Sequence, residues 1–327
     1  AGSGYNRGLN LDPERIGGYR NFINKIWNAF RFIHPFIDDA PGTCPDVKTL
    51  DHHERWILSE LNEVAKVVNE SMDEYRYDDA CSAIYTFIYE RYCSWFIELS
   101  KKILHGEDIS AKERRLQVLK YGFRQIVALL HPFTPYITEE LWMYLREDNE
   151  DLLIVREYPE WDASLQFTSD REQMNHFIET ISHIRNLRAS VDIKPKDVVP
   201  VHLYTDQSDL KTYFEENRLG FSELAKAQPV KVFSKDEQRP EKSVMSATTA
   251  TEIFLPLDGV DLDEQIERLE KELKKAKDGL GKFEKKLENT RFTENAPAEV
   301  IAETREKAEA MQEKVKSLEN NLANFQN

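Results

Sequence analysis

The sequence predicts a mainly α-helical protein in three parts: an antiparallel helical bundle over residues 1–150, a small α+β domain over 151–258 and an antiparallel coiled-coil hairpin over 259–327. Three observations lead there. The first part carries long stretches with apolar residues every three or four positions, the pattern of helices that bury one stripe, separated by short loops. From about Leu152 the pattern shortens into alternating runs such as Val198-Val-Pro-Val-His-Leu-Tyr204, which suit half-buried strands. Beyond residue 261 apolar positions alternate spacings of four and three without error, which is a heptad seam.

Each element has its own signals. Asp12-Pro13-Glu14 combines an N-cap acid, a proline at the first helical position and an acid in the first turn, so a first helix runs to about Phe36. Phe22, Ile26, Ala29 and Ile33 form its apolar face, and Arg20, Asn24, Asn28 and Arg31 fall mostly elsewhere. After a Pro/Gly/Cys-rich loop, Asp51-His-His-Glu54 makes a capping box that opens a second helix to about Tyr75, with Trp56, Leu61, Val64, Val67 and Val68 on its apolar side. A third helix spans about Asp78 to Leu104. Ser110-Ala-Lys-Glu113 reads as another capping box, for a fourth helix that stops before Pro132, and Thr134-Pro135 starts a fifth.

The α+β part has a helix near Asp170 to Arg188 and strands at Val198–Tyr204, Pro229–Phe233 and Thr251–Leu255. In the hairpin, Leu262, Ile266, Leu269, Leu273, Ala276, Leu280, Phe283 and Leu287 form the outgoing seam. A loop at Asn289 to Ala296 and Pro297 at a helix start precede the returning seam, Ile301, Thr304, Ala308, Met311, Val315, Leu318, Leu322 and Phe325. Two helices of about 26 residues at 1.5 Å rise give an arm of roughly 40 Å. Gly279 and Gly281 each weaken its first helix by about 1 kcal/mol relative to Ala.

Composition narrows the function classes. Aromatic residues at 11% and hydrophobic residues at 40% argue against disorder, and the net charge of −15 argues against a surface that grips nucleic acid everywhere. Local basic patches remain open. No apolar run approaches the roughly 18 residues of a membrane span, and Ala-Gly-Ser-Gly at the start has no signal-peptide character, so a cytoplasmic protein with no membrane partner is expected. Cys44, Cys81 and Cys93 form no C-x-x-C pair and fit reduced thiols. P-loop, dinucleotide and zincin motifs do not occur. The adjacent His52 and His53 point in different directions on a helix and match no zinc spacing. The expectation is therefore no catalytic residue, no cofactor and no metal site.

One resemblance gives the pattern a meaning. Arg20-Asn-Phe-Ile-Asn-Lys-Ile-Trp-Asn-Ala-Phe-Arg31 resembles the opening helix of the anticodon-binding bundle shared by valyl-, isoleucyl-, leucyl- and methionyl-tRNA synthetases. Tyr77-Asp-Asp-Ala80, Glu90-Arg-Tyr-Cys-Ser-Trp95 and Leu129-Leu-His-Pro-Phe-Thr-Pro-Tyr-Ile-Thr-Glu-Glu-Leu-Trp142 resemble its later helices in the same order. The terminal hairpin, Leu257-Asp-Gly-Val-Asp-Leu262 leading into it, and the absence of a paired-cysteine module resemble the valyl branch of bacterial type. The His-Ile-Gly-His and Lys-Met-Ser-Lys-Ser motifs of that family do not occur. The resemblance thus implies the C-terminal part of a valine–tRNA ligase. In full length such an enzyme uses ATP and magnesium to attach valine to tRNA(Val) and edits mischarged threonine, in catalytic and editing domains joined in cis. It implies a monomer whose partner is tRNA(Val) and not DNA.

By the same resemblance, Asn28, Arg31 and Trp95 approach the anticodon, with Lys25, Arg20 and Arg91 as secondary positions, and Lys271, Lys274, Lys275, Lys282, Lys285 and Lys286 of the arm touch the outer corner of the tRNA. Asn suits a base edge, Arg a phosphate or guanine-like edge and Trp a stacked base. Plain alternatives stand beside each: a solvated face for the first helix, core packing for Trp95, and a mixed-charge coiled-coil surface for the lysines, which alternate with Glu270, Glu272 and Glu284. Arg185, Arg188, Lys194 and Lys196 form a further basic cluster, for tRNA contact or for packing. The rival reading of the whole chain is a helical protein-interaction module without tRNA specificity.

Overall fold

The computed structural model describes residues 13–257 and 262–288, together with Arg305, Ala308, Met311, Gln312, Val315 and Glu319. The expected cap at Asp12, the loop at 289–296 and most of the returning arm helix lie outside the described residues. Residues divide into two compact units, Ala1–Met174 and Asn175–Asn327.

The first unit is a bundle of α1 (Pro13–Ile37), α2 (His52–Asp73), α3 (Tyr77–Thr86), α4 (Ile97–Leu104), α5 (Ile109–Leu130) and α6 (Pro135–Leu145). Its core is built from Ile26, Phe30 and Ile33 of α1, Trp56, Leu61 and Val68 of α2, and Val118, Phe123 and Val127 of α5. Asp51 and Glu54 form the expected reciprocal capping box of α2. Two expectations are corrected. Val67 is exposed, because α2 buries Trp56, Ile57, Leu58, Leu61, Ala65 and Val68 instead. The cap of α5 is Asp108, whose carboxylate accepts from the Ala111 N–H at 3.0 Å; Ser110 already lies inside the helix.

Between α3 and α4 the expected third helix is unbroken, but its middle, Phe87–Phe96, is π-helical. The turn is wide: the Ile97 N–H donates to the Tyr92 carbonyl, and the Ser94 hydroxyl donates to the Tyr89 carbonyl at 2.6 Å. At 3.6 residues per turn, residues five apart point to different sides. Here Phe87 and Tyr92 are both buried, with ring centroids 6.2 Å apart.

After α6 the chain returns along the bundle as a strap. The Trp142 indole N–H donates to the Asp151 carbonyl at 2.9 Å, the Tyr158 hydroxyl to the Leu129 carbonyl at 2.8 Å, and Asn62 pairs reciprocally with the backbone of Asp162 at 2.8 and 2.7 Å. Leu153 and Leu165 are buried along its course.

α7 (Thr168–Ser190) leads into the α+β part: β1 (Val199–Tyr204), α8 (Ser208–Glu216), α9 (Arg218–Ala225), β2 (Ala227–Phe233), β3 (Ser243–Ala247) and β4 (Glu252–Pro256). The strand order is β2-β1-β4-β3, with β1 parallel to β2 and antiparallel to β4. A parallel pair needs a crossover, which α8 and α9 supply while packing on β2. Pro229 is tolerated because β2 is an edge strand, and Pro200 of the inner β1 sits where the register shifts. The short edge strand β3 is an addition to the three strands expected.

α10 (Leu262–Glu288) forms the outgoing helix of the arm. Ala276 and Val315 make its buried core, flanked by Leu273, Leu280 and Met311. Lys277 pairs with Glu319 at 2.6 Å, and Gly279 lies against Met311. From the Lys277–Glu319 pair to the Gly279–Met311 contact the partner number falls as the α10 number rises, so the two segments run antiparallel.

Candidate nucleic-acid interface

Burial of Ile26, Ala29, Phe30, Ile33 and Ile37 leaves the opposite side of α1 to solvent, where Arg20, Asn21, Asn24, Asn28 and Arg31 are exposed. A groove of about 410 Å³ runs between this side and the π-helical stretch and α4; its polar wall comes from Asn21, Asn24, Lys25 and Asn28. The Lys25 ammonium sits 4.5 Å over the ring of Tyr89. Tyr89 stacks on Tyr85 with centroids 4.6 Å apart, and Phe22 backs both at 4.9 Å from Tyr85 and 5.9 Å from Tyr89. Tyr85 is 45% exposed. The far end carries Lys101, held by Glu98 at 2.7 Å and 5.6 Å over Phe32.

Cys93 also lines this groove. Burial pushes its thiol up to about 11, against the opposing pull of Lys25, so near neutral pH it stays protonated and is no nucleophile. The groove offers amide donors and acceptors, ammonium groups, the Glu98 carboxylate and an aromatic surface.

The structure therefore brings together some of the residues singled out from sequence and separates others. Asn28 and Lys25 share the groove, and Arg20 and Arg31 flank it as exposed side chains of α1. Arg91 is half-buried with its Nε 3.7 Å from a Glu60 carboxylate that Arg171 also holds at 3.0 Å. Trp95 is 7% exposed, within the aromatic core. The stacking surface belongs to Tyr85 and Tyr89, which the sequence reading passed over. Their signal was an i, i+4 aromatic pair that straddles the start of the wide stretch.

In the second unit, Lys271, Lys274, Lys275, Lys282, Lys285 and Lys286 are all exposed. At 100° per residue they share the side of α10 turned away from Leu273, Ala276 and Leu280. Lys277 lies off this stripe, neutralised by Glu319. The other basic cluster is used in packing: Arg188 donates to the carbonyls of Lys194 at 3.0 Å, Asp197 at 2.8 Å and Lys226 at 3.3 Å, and Arg185 to that of Leu224 at 2.9 Å. Among the described residues no three His, Cys, Asp or Glu side chains converge to hold a metal ion, and no helix is long and apolar enough to cross a membrane.

Comparison with known proteins matches two parts of the chain to known families. Residues 54–203 match the family model for the anticodon-binding domain of tRNA ligases, and residues 261–326 match that for the valyl tRNA synthetase tRNA binding arm. Valine–tRNA ligases of Staphylococcus carnosus and Clostridium acetobutylicum are each 33% identical to this chain, over 97% and 96% of it. That of Geobacter sulfurreducens is 35% identical over 94%. The chain covers 36%, 36% and 35% of these three proteins, so it spans about a third of the length of the curated relatives it matches.

Proposed function

Because the chain carries the anticodon-binding domain and the tRNA-binding arm of the valyl-tRNA synthetases, we propose that it is a tRNA-recognition segment that holds tRNA(Val) at the anticodon and at the outer corner. The observation that carries this reading is the α1 groove. Anticodon-loop bases are unstacked, so their edges can be hydrogen-bonded and their faces stacked. The Asn28 amide, with one acceptor and two donors, reads a base edge. The Tyr85–Tyr89 pair receives a base face, an interaction worth about 1–3 kcal/mol. Lys25, Arg20 and Arg31 meet phosphates. Trp95 and Arg91 act from behind, holding the wide helical stretch that presents Tyr89. The lysine stripe of α10 contacts RNA backbone at the outer corner, without reading sequence.

Joining valine to tRNA with ATP and magnesium, and removing mischarged threonine, would then belong to catalytic and editing domains joined to this segment in cis. In this reading the chain itself is not an enzyme and needs no cofactor, and it works as a cytoplasmic monomer on RNA, not DNA or membrane.

The test is binding of the chain to tRNA(Val), and to the same tRNA with changed anticodon bases, across a salt series. Affinity that falls on anticodon change and weakens with salt supports the proposal. Equal binding to every tRNA removes the groove from it and leaves only the arm. No binding favours a protein-interaction module.

A further inference from the structure

A second cleft in the first unit has no role in RNA binding as proposed above. It holds about 350 Å³ beneath the strap and is walled by α2 and α5. Leu58, Leu61, Leu129 and Leu165 give it an apolar floor, and Gln125 and Arg156 line it with polar groups. That size lies within the range of small-molecule sites, which combine apolar walls with a few placed polar groups.

Arg156 sets its chemistry. Two guanidinium groups lie over the Trp142 indole, Arg124 at 4.5 Å and Arg156 at 4.8 Å. Arg124 is compensated: it pairs with Glu150 and donates to the Leu145 carbonyl at 2.7 Å. Arg156 has no hydrogen-bond or ion-pair partner among the described residues, and its Nη1 is buried and unsatisfied. Burial, and then the neighbouring Arg124, pull its pKa below the ordinary arginine value, by more than the nearby Glu150 carboxylate and Tyr121 hydroxyl offset. A buried, unpaired donor on a cation is costly, and a guanidinium edge matches a carboxylate in a two-point fork. Glu157, Glu160 and Asp162 of the lining are exposed acids and disfavour a polyanion.

We infer that this cleft is a second ligand site, which takes a small carboxylate bearing an apolar group: the carboxylate on Arg156, the apolar group on the leucine floor.

The test is calorimetric titration of the whole chain with benzoate, with benzyl alcohol as its uncharged counterpart and with inorganic phosphate. Benzoate should bind saturably at one site, and the other two at least about tenfold more weakly, the scale of one charge-assisted hydrogen bond. Arg156→Gln should weaken benzoate by about tenfold or more and leave tRNA binding unchanged. Absence of benzoate binding, equal binding of benzyl alcohol or phosphate, or an Arg156→Gln chain that binds benzoate as before would each overturn the inference. The comparison of the three probes on the unaltered chain decides the matter even if the variant fails to fold.

Discussion

Glu54 closes the capping box of α2 by accepting from the Asp51 N–H at 2.9 Å, and its other carboxylate oxygen accepts from the Arg115 Nε of α5 at 3.0 Å, with both side chains fully shielded from solvent. Arg115 further reaches Asp51 at 2.8 Å and the Ser100 hydroxyl at 3.2 Å, and lies 4.9 Å over Phe96. One guanidinium therefore ties the start of α2 to α4 and α5. Arg115→Met would leave Glu54 buried with only Arg114 as its charged partner, and is expected to cost about 3–5 kcal/mol. Urea unfolding measures it; a loss below about 1 kcal/mol would show the network to be dispensable.

His53, beside this network, makes stability pH-dependent. Burial first, and then Arg115, push its pKa down to about 4, against the pull of Asp51. The folded value lies below the ordinary 6.5, so on acidification the unfolded chain takes up the proton first. Its contribution is complete above about pH 6.5 and is lost as pH falls from there toward 4, about 2 kcal/mol of it between pH 7 and pH 5. Asp51, held below the ordinary carboxylate range although burial opposes this, adds its own loss only at lower pH. Denaturant titrations at pH 7 and pH 5 should show the drop in the unaltered chain and a much smaller one in His53→Gln.

Trp95 and Tyr89 should separate stability from binding. Trp95→Ala, in the core, is expected to cost about 3–5 kcal/mol of stability. Trp95→Phe should keep tRNA affinity. Tyr89→Leu and Asn28→Ala should fold normally and weaken tRNA(Val) by about 1–3 kcal/mol each. If Trp95→Phe lost anticodon discrimination and Tyr89→Leu kept it, the stacking surface would have been placed on the wrong ring.

Gly220 of α9 has no room for a side chain: a Cβ there would lie 2.6 Å from Phe177 Cζ, in a cage where Phe177 and Phe221 are fully buried. Gly220→Ala should destabilise by about 1–3 kcal/mol despite its better helix propensity. Thermal unfolding of the variant checks the sign.

The arm glycines should behave oppositely. A Cβ on Gly279 would meet Met311 at 3.5 Å, an ordinary contact, and one on Gly281 would meet nothing within 4 Å. Replacing both by Ala should stabilise the arm by up to about 2 kcal/mol, seen as slower amide exchange along α10. Unchanged exchange would mean that its opening is governed elsewhere.

How much of this was legible in the sequence follows from which signals are local. The capping box at Asp51, the Thr134-Pro135 start and the break before Pro132 placed helix ends closely, because caps act within one turn. The cap of α5 was misplaced because Ser110-x-x-Glu113 and Asp108 both fit capping chemistry, and only geometry shows whose oxygen reaches an N–H. The strap escaped notice because the hydrogen bonds that tie it to α2, from Asn69 to Pro159 and from Asn62 to Asp162, join residues 90 and 100 positions apart. In the candidate site, Asn28 lies on the polar stripe of α1 that the sequence displays, whereas Lys25 entered only through the family resemblance. That Tyr89 lines the groove while Trp95 is buried was not legible, since a 3.6-residue period says nothing of a wide turn.

That wide turn has a consequence for how such chains diverge. A π-helical stretch carries slack that an ordinary helix lacks. Removing one residue between Phe87 and Phe96 would let the backbone close into a regular helix, the slack of the wide turns taking up the deletion, so that side chains within the stretch change places while the helix on either side keeps its course. Relatives that differ by a single residue here would thus present another set of side chains to α1 while keeping every other helix in place. A one-codon change in length, more than any single substitution, is the smallest genetic step that could refit this groove to a different loop of RNA.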